Sequence, residues 1–97
     1  MNTNNVKKNL EADALADYLE KAAVIAAKQH KAAELEAKIA KLDDSIEEAD
    51  RIGLDEVVDT LCKERNDLNL ERLEVELQRN KLEKELLEFE KIRHLTR

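Results

Sequence analysis

Leu54, Leu61, Leu68, Val75, Leu82 and Phe89 recur at an unbroken seven-residue interval, the apolar stripe of a coiled coil. Three or four residues away, where a second apolar row belongs, the chain reads Val58, Arg65, Arg72, Arg79, Leu86 and Arg93. The seam this pattern predicts is half apolar and half cationic. Arginines held there must snorkel to the edge, pair with carboxylates or stay exposed for a partner. Arg65, Arg72 and Arg79 therefore form a candidate polar seam, with Glu34 and Glu36 as the acids nearest Arg72.

The first half carries Leu15, Tyr18, Ala22, Ile25, Ala32, Leu35, Ile39, Leu42, Ile46 and Ala49 at spacings close to four and three, which predicts one long helix. Around Gln29 the period is disturbed with no Gly or Pro nearby, which predicts a local change of supercoil rather than a helix end. Ser45 and Glu48 have capping-box spacing, so a break at Asp43-Asp44-Ser45 is the alternative. The alanines at 22, 23, 26, 27, 32, 33, 37 and 40 are read as a surface for close approach of another helix, with helix propensity alone as the alternative.

Arg51-Ile52-Gly53-Leu54-Asp55-Glu56 holds the sole glycine of the 97 residues, and there is no proline. Gly53 can adopt the left-handed conformation that ends a helix, Leu54 can fold back onto the last turn, and Asp55 can cap the next helix. The expected fold is all-α: a flexible segment over 1–8, helix one over about 9–52, a turn at Gly53 and helix two over about 55–95, folded as a long antiparallel hairpin. Folding back at Gly53 sets Tyr18 opposite Phe89 and Leu86, and Ala32 and Ala33 opposite Leu73. Leu70, Leu73, Leu77 and Leu95 lie on the far side of helix two from the seam, a second apolar face. That face calls for dimerisation into a four-helix bundle or for a different protein.

Charge sharpens the picture. From Asp43 to Asp59 eight acids stand against one base, Arg51, a local formal charge of −7 that leaves the rest of the chain at +1, the whole being −6. Asp50, Asp55, Glu56 and Asp59 make the hairpin tip a candidate docking point for the basic cleft of a larger protein, such as a nucleic-acid-processing enzyme. Acids also simply keep a turn solvated and suit a helix N-terminus. The opposite end carries Lys7, Lys8, Lys91, Arg93 and Arg97 and is basic.

Composition excludes most other chemistry. With 2% aromatic and 41% charged residues, burial rests on aliphatic side chains that fill a thin seam. No run approaches the roughly 18 apolar residues of a membrane span, and no apolar block of signal-peptide type follows the N-terminal lysines. Cys62 alone cannot form an internal disulfide, which fits a reducing, cytoplasmic setting, and between the two apolar faces it reads as a packing residue rather than a nucleophile. His30 and His94 each have only one carboxylate, Glu34 and Glu90, at helical spacing, too few ligands for a metal. Acids abound, but a slender hairpin offers no pocket to shift their protonation. Direct nucleic-acid binding is disfavoured by Glu64, Asp67, Glu71, Glu74 and Glu76 on helix two and by the lack of exposed aromatics. The expectation is a non-enzymatic binding module without metal or cofactor, an inhibitor or adaptor that acts as a homo-oligomer or hetero-complex. In size, acidity and want of catalytic groups it is similar to small accessory proteins of phages and bacteria in general. The rival expectation is a self-assembling scaffold or spacer.

Overall fold

Two helices account for the architecture: α1, Thr3–Arg51, and α2, Asp55–Leu95. The computed structural model describes the backbone over 3–95 and the side chains over 12–91. The helices lie antiparallel in a rod of 78 × 19 × 14 Å. Its radius of gyration, 21.9 Å, far exceeds the roughly 13 Å of a compact domain of about 100 residues. α1 starts at Thr3 rather than near residue 9, because no Gly or Pro stands in the N-terminal stretch to stop it. It also runs unbroken through Asp43, Asp44 and Ser45, so the capping-box spacing there goes unused. A helix interrupted at Ser45 would lose Ile46 and Ala49 from the seam, and that burial outweighs one capping bond.

The turn follows from Gly53, whose φ is +78°. Its N–H donates to the Asp50 carbonyl at 3.1 Å, and the Leu54 N–H donates to the Ala49 carbonyl at 2.9 Å. These are the two bonds of a Schellman motif, and they satisfy carbonyls that the end of α1 would otherwise leave open. Leu54 then accepts from the Val58 N–H at 3.0 Å, so Leu54 is the N-cap of α2 and Asp55 its first helical residue. The expected capping role of Asp55 is thus replaced by a charge at the positive end of the helix. A Cβ added at Gly53 would meet nothing within 4 Å, so only backbone strain opposes substitution. Gly53→Ala is expected to cost about 1 kcal/mol, and Gly53→Asn less, in urea denaturation followed by circular dichroism.

The seam is more regular than the apolar residues alone suggest. On α1 the covered or half-covered positions include Ala14, Tyr18, Lys21, Ile25, Lys28, Ala32, Leu35, Ile39, Leu42, Ile46 and Ala49, alternating by four and three without interruption. The disturbance expected around Gln29 is therefore absent; Lys21 and Lys28 hold seam positions that an apolar search passes over. On α2 the matching positions are Val58, Leu61, Arg65, Leu68, Arg72, Val75, Arg79, Leu82, Leu86 and Phe89. Leu54 does not join them, being 47% exposed at the turn.

The register is anchored where Tyr18 and Phe89 meet, ring centroids 5.6 Å apart. Extending that pairing along the alternation sets Ile25 against Leu82, Ala32 against Val75, Leu35 against Arg72, Ile39 against Leu68 and Ile46 against Leu61. Leu73, expected opposite Ala32 and Ala33, is exposed and off the seam, one residue step having carried it past the contact line. Of the eight alanines between 22 and 40, Ala32 is buried and Ala22 half-buried; the rest are exposed, so they sustain the helix rather than admit a neighbour. Among the described residues only Ile25, Ala32, Leu35 and Ala49 are buried apolar side chains. The core is a line.

Candidate functional site

Each seam arginine keeps its guanidinium at the edge of the contact and finds an acid. Arg65 Nη1 lies 3.3 Å from Asp43 Oδ1. Arg72 Nη1 lies 3.7 Å from Glu36 Oε1 across the hairpin and 3.9 Å from Glu76 Oε1 one turn along its own helix. Arg79 Nε lies 3.9 Å from Glu83 Oε1, and its guanidinium also donates to Asn80 Oδ1, from Nη2 at 3.2 Å. Glu34, the other acid expected near Arg72, is taken up by His30 at 2.9 Å on the outer surface. The arginine side chains are about one-third exposed, and Arg72 Nε is buried with no hydrogen-bond partner. Their stems thus fill the seam and their Nη ends reach its edge, the snorkelling that apolar neighbours enforce, with Arg72 Nε the one guanidinium nitrogen among these arginines left covered and unpaired.

Beside this row runs an open groove of about 410 Å³ lined by Glu36, Ile39, Ala40, Asp43, Arg65, Asn69 and Arg72. Two guanidiniums and two carboxylates balance one another there, so the groove offers no net attraction to an anion. No group in it combines a nucleophile with a base.

Lysines at the seam and beside it make a second set of polar contacts, most of them across the hairpin. Lys21 Nζ lies 3.4 Å from Asp17 and 3.5 Å from Glu85. Its pKa is held above the ordinary lysine value, chiefly by the Asp17 carboxylate and further by Glu85, with desolvation opposing both. Lys28 Nζ donates to Gln78 Oε1 at 2.7 Å, and Lys31 lies 3.9 Å from Glu71. At the open end of the described seam the Tyr18 hydroxyl donates to Glu90 Oε1 at 2.9 Å. Apolar periodicity missed Lys21 and Lys28; the four-three alternation continued through them is the signal that finds them.

The tip presents its charge almost without internal compensation. All eight acids from Asp43 to Asp59 are exposed, Asp50, Asp55, Glu56 and Asp59 included, and of them only Asp43 is ion-paired. Ile52, Leu54 and Val57 are exposed among them at 64, 47 and 43%. The tip thus combines anionic and apolar surface. The second candidate surface is equally open: Leu70, Leu73 and Leu77 are 66, 47 and 69% exposed on the side of α2 away from α1. Leu95, His94, Arg93, Arg97, Lys7 and Lys8, which the sequence adds to these surfaces or to the basic end, lie outside the described side chains.

Cys62 is free and half-buried beside the seam. No group of three or more His, Cys, Asp and Glu side chains that could hold a metal occurs among the described residues. Likewise no described helix is long and apolar enough to cross a membrane. The structure defines an antiparallel two-helix hairpin whose chemistry is confined to its surface. The chain matches no family model, no curated protein sequence and no solved structure.

Proposed function

We propose that the chain is a non-enzymatic protein-binding module, a small adaptor or inhibitor that presents its acidic tip to a basic cleft on a larger protein. The observation that carries this reading is the tip itself: eight exposed carboxylates, seven of them unpaired, around exposed Ile52, Leu54 and Val57 at the end of a 78 Å rod. Charge of one sign at a narrow end steers association, while the apolar residues among it supply area that desolvates on contact. A cleft shaped to hold a phosphate backbone has the matching sign, which favours a nucleic-acid-processing enzyme as the partner, in the manner of small phage and bacterial accessory proteins. The lone Cys62 suits action in the cytoplasm.

Reversing Asp50, Asp55, Glu56 and Asp59 to lysine tests this. Asp55 and Glu56 sit at the start of α2, where reversal costs roughly 0.3–1 kcal/mol each, while a cation at 50 suits the end of α1. Helicity should therefore survive. A partner captured by the wild type should be held at least about a hundredfold more weakly by the variant, and wild-type capture should fall with added salt. Equal capture by both proteins overturns the tip reading.

One observation favours a second reading, a self-assembling scaffold. The uncovered leucines at 70, 73 and 77 are surface that a protein working only through its tip has no use for.

A further inference from the structure

Reading outward from Leu73 along the far face of α2, the residues repeat in reverse order: Leu70 and Leu77, then Asn66 and Asn80, then Lys63 and Lys84. All of them are exposed, and they follow the same four-three spacing as the seam on the opposite side. A face that reads alike in both directions is complementary to itself under a two-fold axis, the commonest symmetry of oligomers. We propose that this face is covered by a second copy of the chain, α2 against α2, antiparallel about an axis at Leu73.

In that arrangement Leu70 meets Leu77 of the second copy twice over, Leu73 meets its own counterpart, and an Asn66–Asn80 amide pair closes each end of the apolar patch. Asp67 comes opposite Lys81 on the same flank, again twice. Two features oppose pairing: Glu74 approaches its counterpart near the axis, and Lys63 comes level with Lys84. The lysine stems let their charges move to Asp59, Asp67 and Glu88 beside them, which removes the second conflict but not the first.

Long-range charge selects the orientation. A parallel pair would set two tips of formal charge −7 side by side, whereas the antiparallel pair lays each tip along a stretch of its partner where Lys84, Lys91, Arg93 and Arg97 balance Glu83, Glu85, Glu88 and Glu90 in sequence, so the repulsion between tips is removed. The rod exposes 7820 Å², about 2,000 Å² more than a compact monomer of 11.2 kDa, and a standard stable interface takes about 800 Å² from each partner, so the elongated chain has surface to spare for one.

The pairing itself does not depend on the proposed tip function; it adds to it. Two tips would face opposite ways roughly 60 Å apart, at 1.5 Å of rise per residue, so the dimer would be bivalent and would gain from effective concentration on a partner with two sites.

The test is the mass of the full chain by sedimentation equilibrium from about 10 µM to 1 mM, with the Leu73→Glu/Leu77→Glu variant alongside. The expected result is twice 11.2 kDa for the wild type and 11.2 kDa for the variant, with helicity retained because the seam is untouched. A monomeric wild type, or a variant that stays dimeric, overturns the proposal. Should the variant lose its helices, orientation decides. A nitroxide on Cys62, the sole cysteine, should show a dipolar distance of about 35 Å between copies, since 62 lies eleven to twelve residues from the axis. A separation under about 20 Å, the parallel value, or no dipolar coupling, overturns it. The two readings fail separately: a monomer that still captures a partner through its tip removes only the dimer, and a dimer with no tip-dependent partner removes only the binding function.

Discussion

Leu35→Ala is expected to lower the unfolding free energy by about 2–3 kcal/mol, the largest loss from any single truncation among the described side chains. Leu35 is 1% exposed, and the only other large buried apolar side chain among those described is Ile25 at 8%. Buried Leu→Ala changes cost about 2–5 kcal/mol, depending on how far the site collapses. A seam one residue wide collapses easily, which places this site in the lower half of that range. The register sets Leu35 across from Arg72, whose buried Nε has no hydrogen-bond partner. Water admitted by truncation would reach that N–H and offset part of the loss, a second reason for the lower half of the range. Leu35→Lys goes further: it sets an ammonium against the guanidinium and should leave the chain largely unfolded at room temperature. Leu87→Ala, at a position 58% exposed, should shift stability by less than about 0.5 kcal/mol. Urea titrations followed by far-UV circular dichroism decide between these values. Equal losses at positions 35 and 87 would mean that the hairpin is not held together along the seam.

That contrast also shows how far the pattern of residues carried. A seven-residue apolar repeat, one glycine and no proline leave a helical pair as the only arrangement that buries the stripe, and they locate the turn at Gly53. The Tyr18–Phe89 pairing followed directly from folding back at that point. What apolar periodicity hid was the polar part of the seam. Lys21 and Lys28 occupy core positions by spacing but not by type, and a search for hydrophobic recurrence reads them as a disturbance. The Asp55 cap failed because the two Schellman bonds, from the Gly53 and Leu54 N–H groups, close α1 so tightly that the N-cap of α2 falls on Leu54 and Asp55 is already helical. The tip acids, Leu70 and Leu77 are exposed as period and charge place them, since helix phase determines exposure, whereas the pattern sets Leu73 both on this face and opposite Ala32 and Ala33, and only the first placement holds. What occupies them is set by a second molecule, and nothing in one chain's pattern encodes that molecule's shape.

Replacing Arg65, Arg72 and Arg79 together by leucine is expected to stabilise the hairpin by about 2–4 kcal/mol and to weaken its register. The ion pairs these arginines make are separated by 3.3–3.9 Å, and most of their acids are half-exposed, at 52% for Asp43, 57% for Glu36 and 44% for Glu83. Pairs of this kind contribute about 0–1 kcal/mol each, and their acids, once released, are solvated where they stand. Glu76, at 25%, is the exception and offsets part of the gain. Leucine would complete the second apolar row between Val58 and Leu86, and each new layer contributes more than the pair it replaces. Net charge would move from −6 to −9 as three cations are lost, a cost that salt near physiological strength largely screens. The urea midpoint should therefore rise, whereas replacement by alanine, which deletes the stems as well as the charges, should lower it. Specificity moves the other way. With both rows apolar, a slip of seven residues would still set leucine-rich layers against α1, whereas the present slip would separate Arg65 from Asp43 and Arg72 from Glu36. The variant should show extra amide resonances or a broadened distribution of distances between labels on the two helices, where the wild type shows one set. A variant both less stable and single in register would mean that the arginine pairs hold the helices together rather than align them.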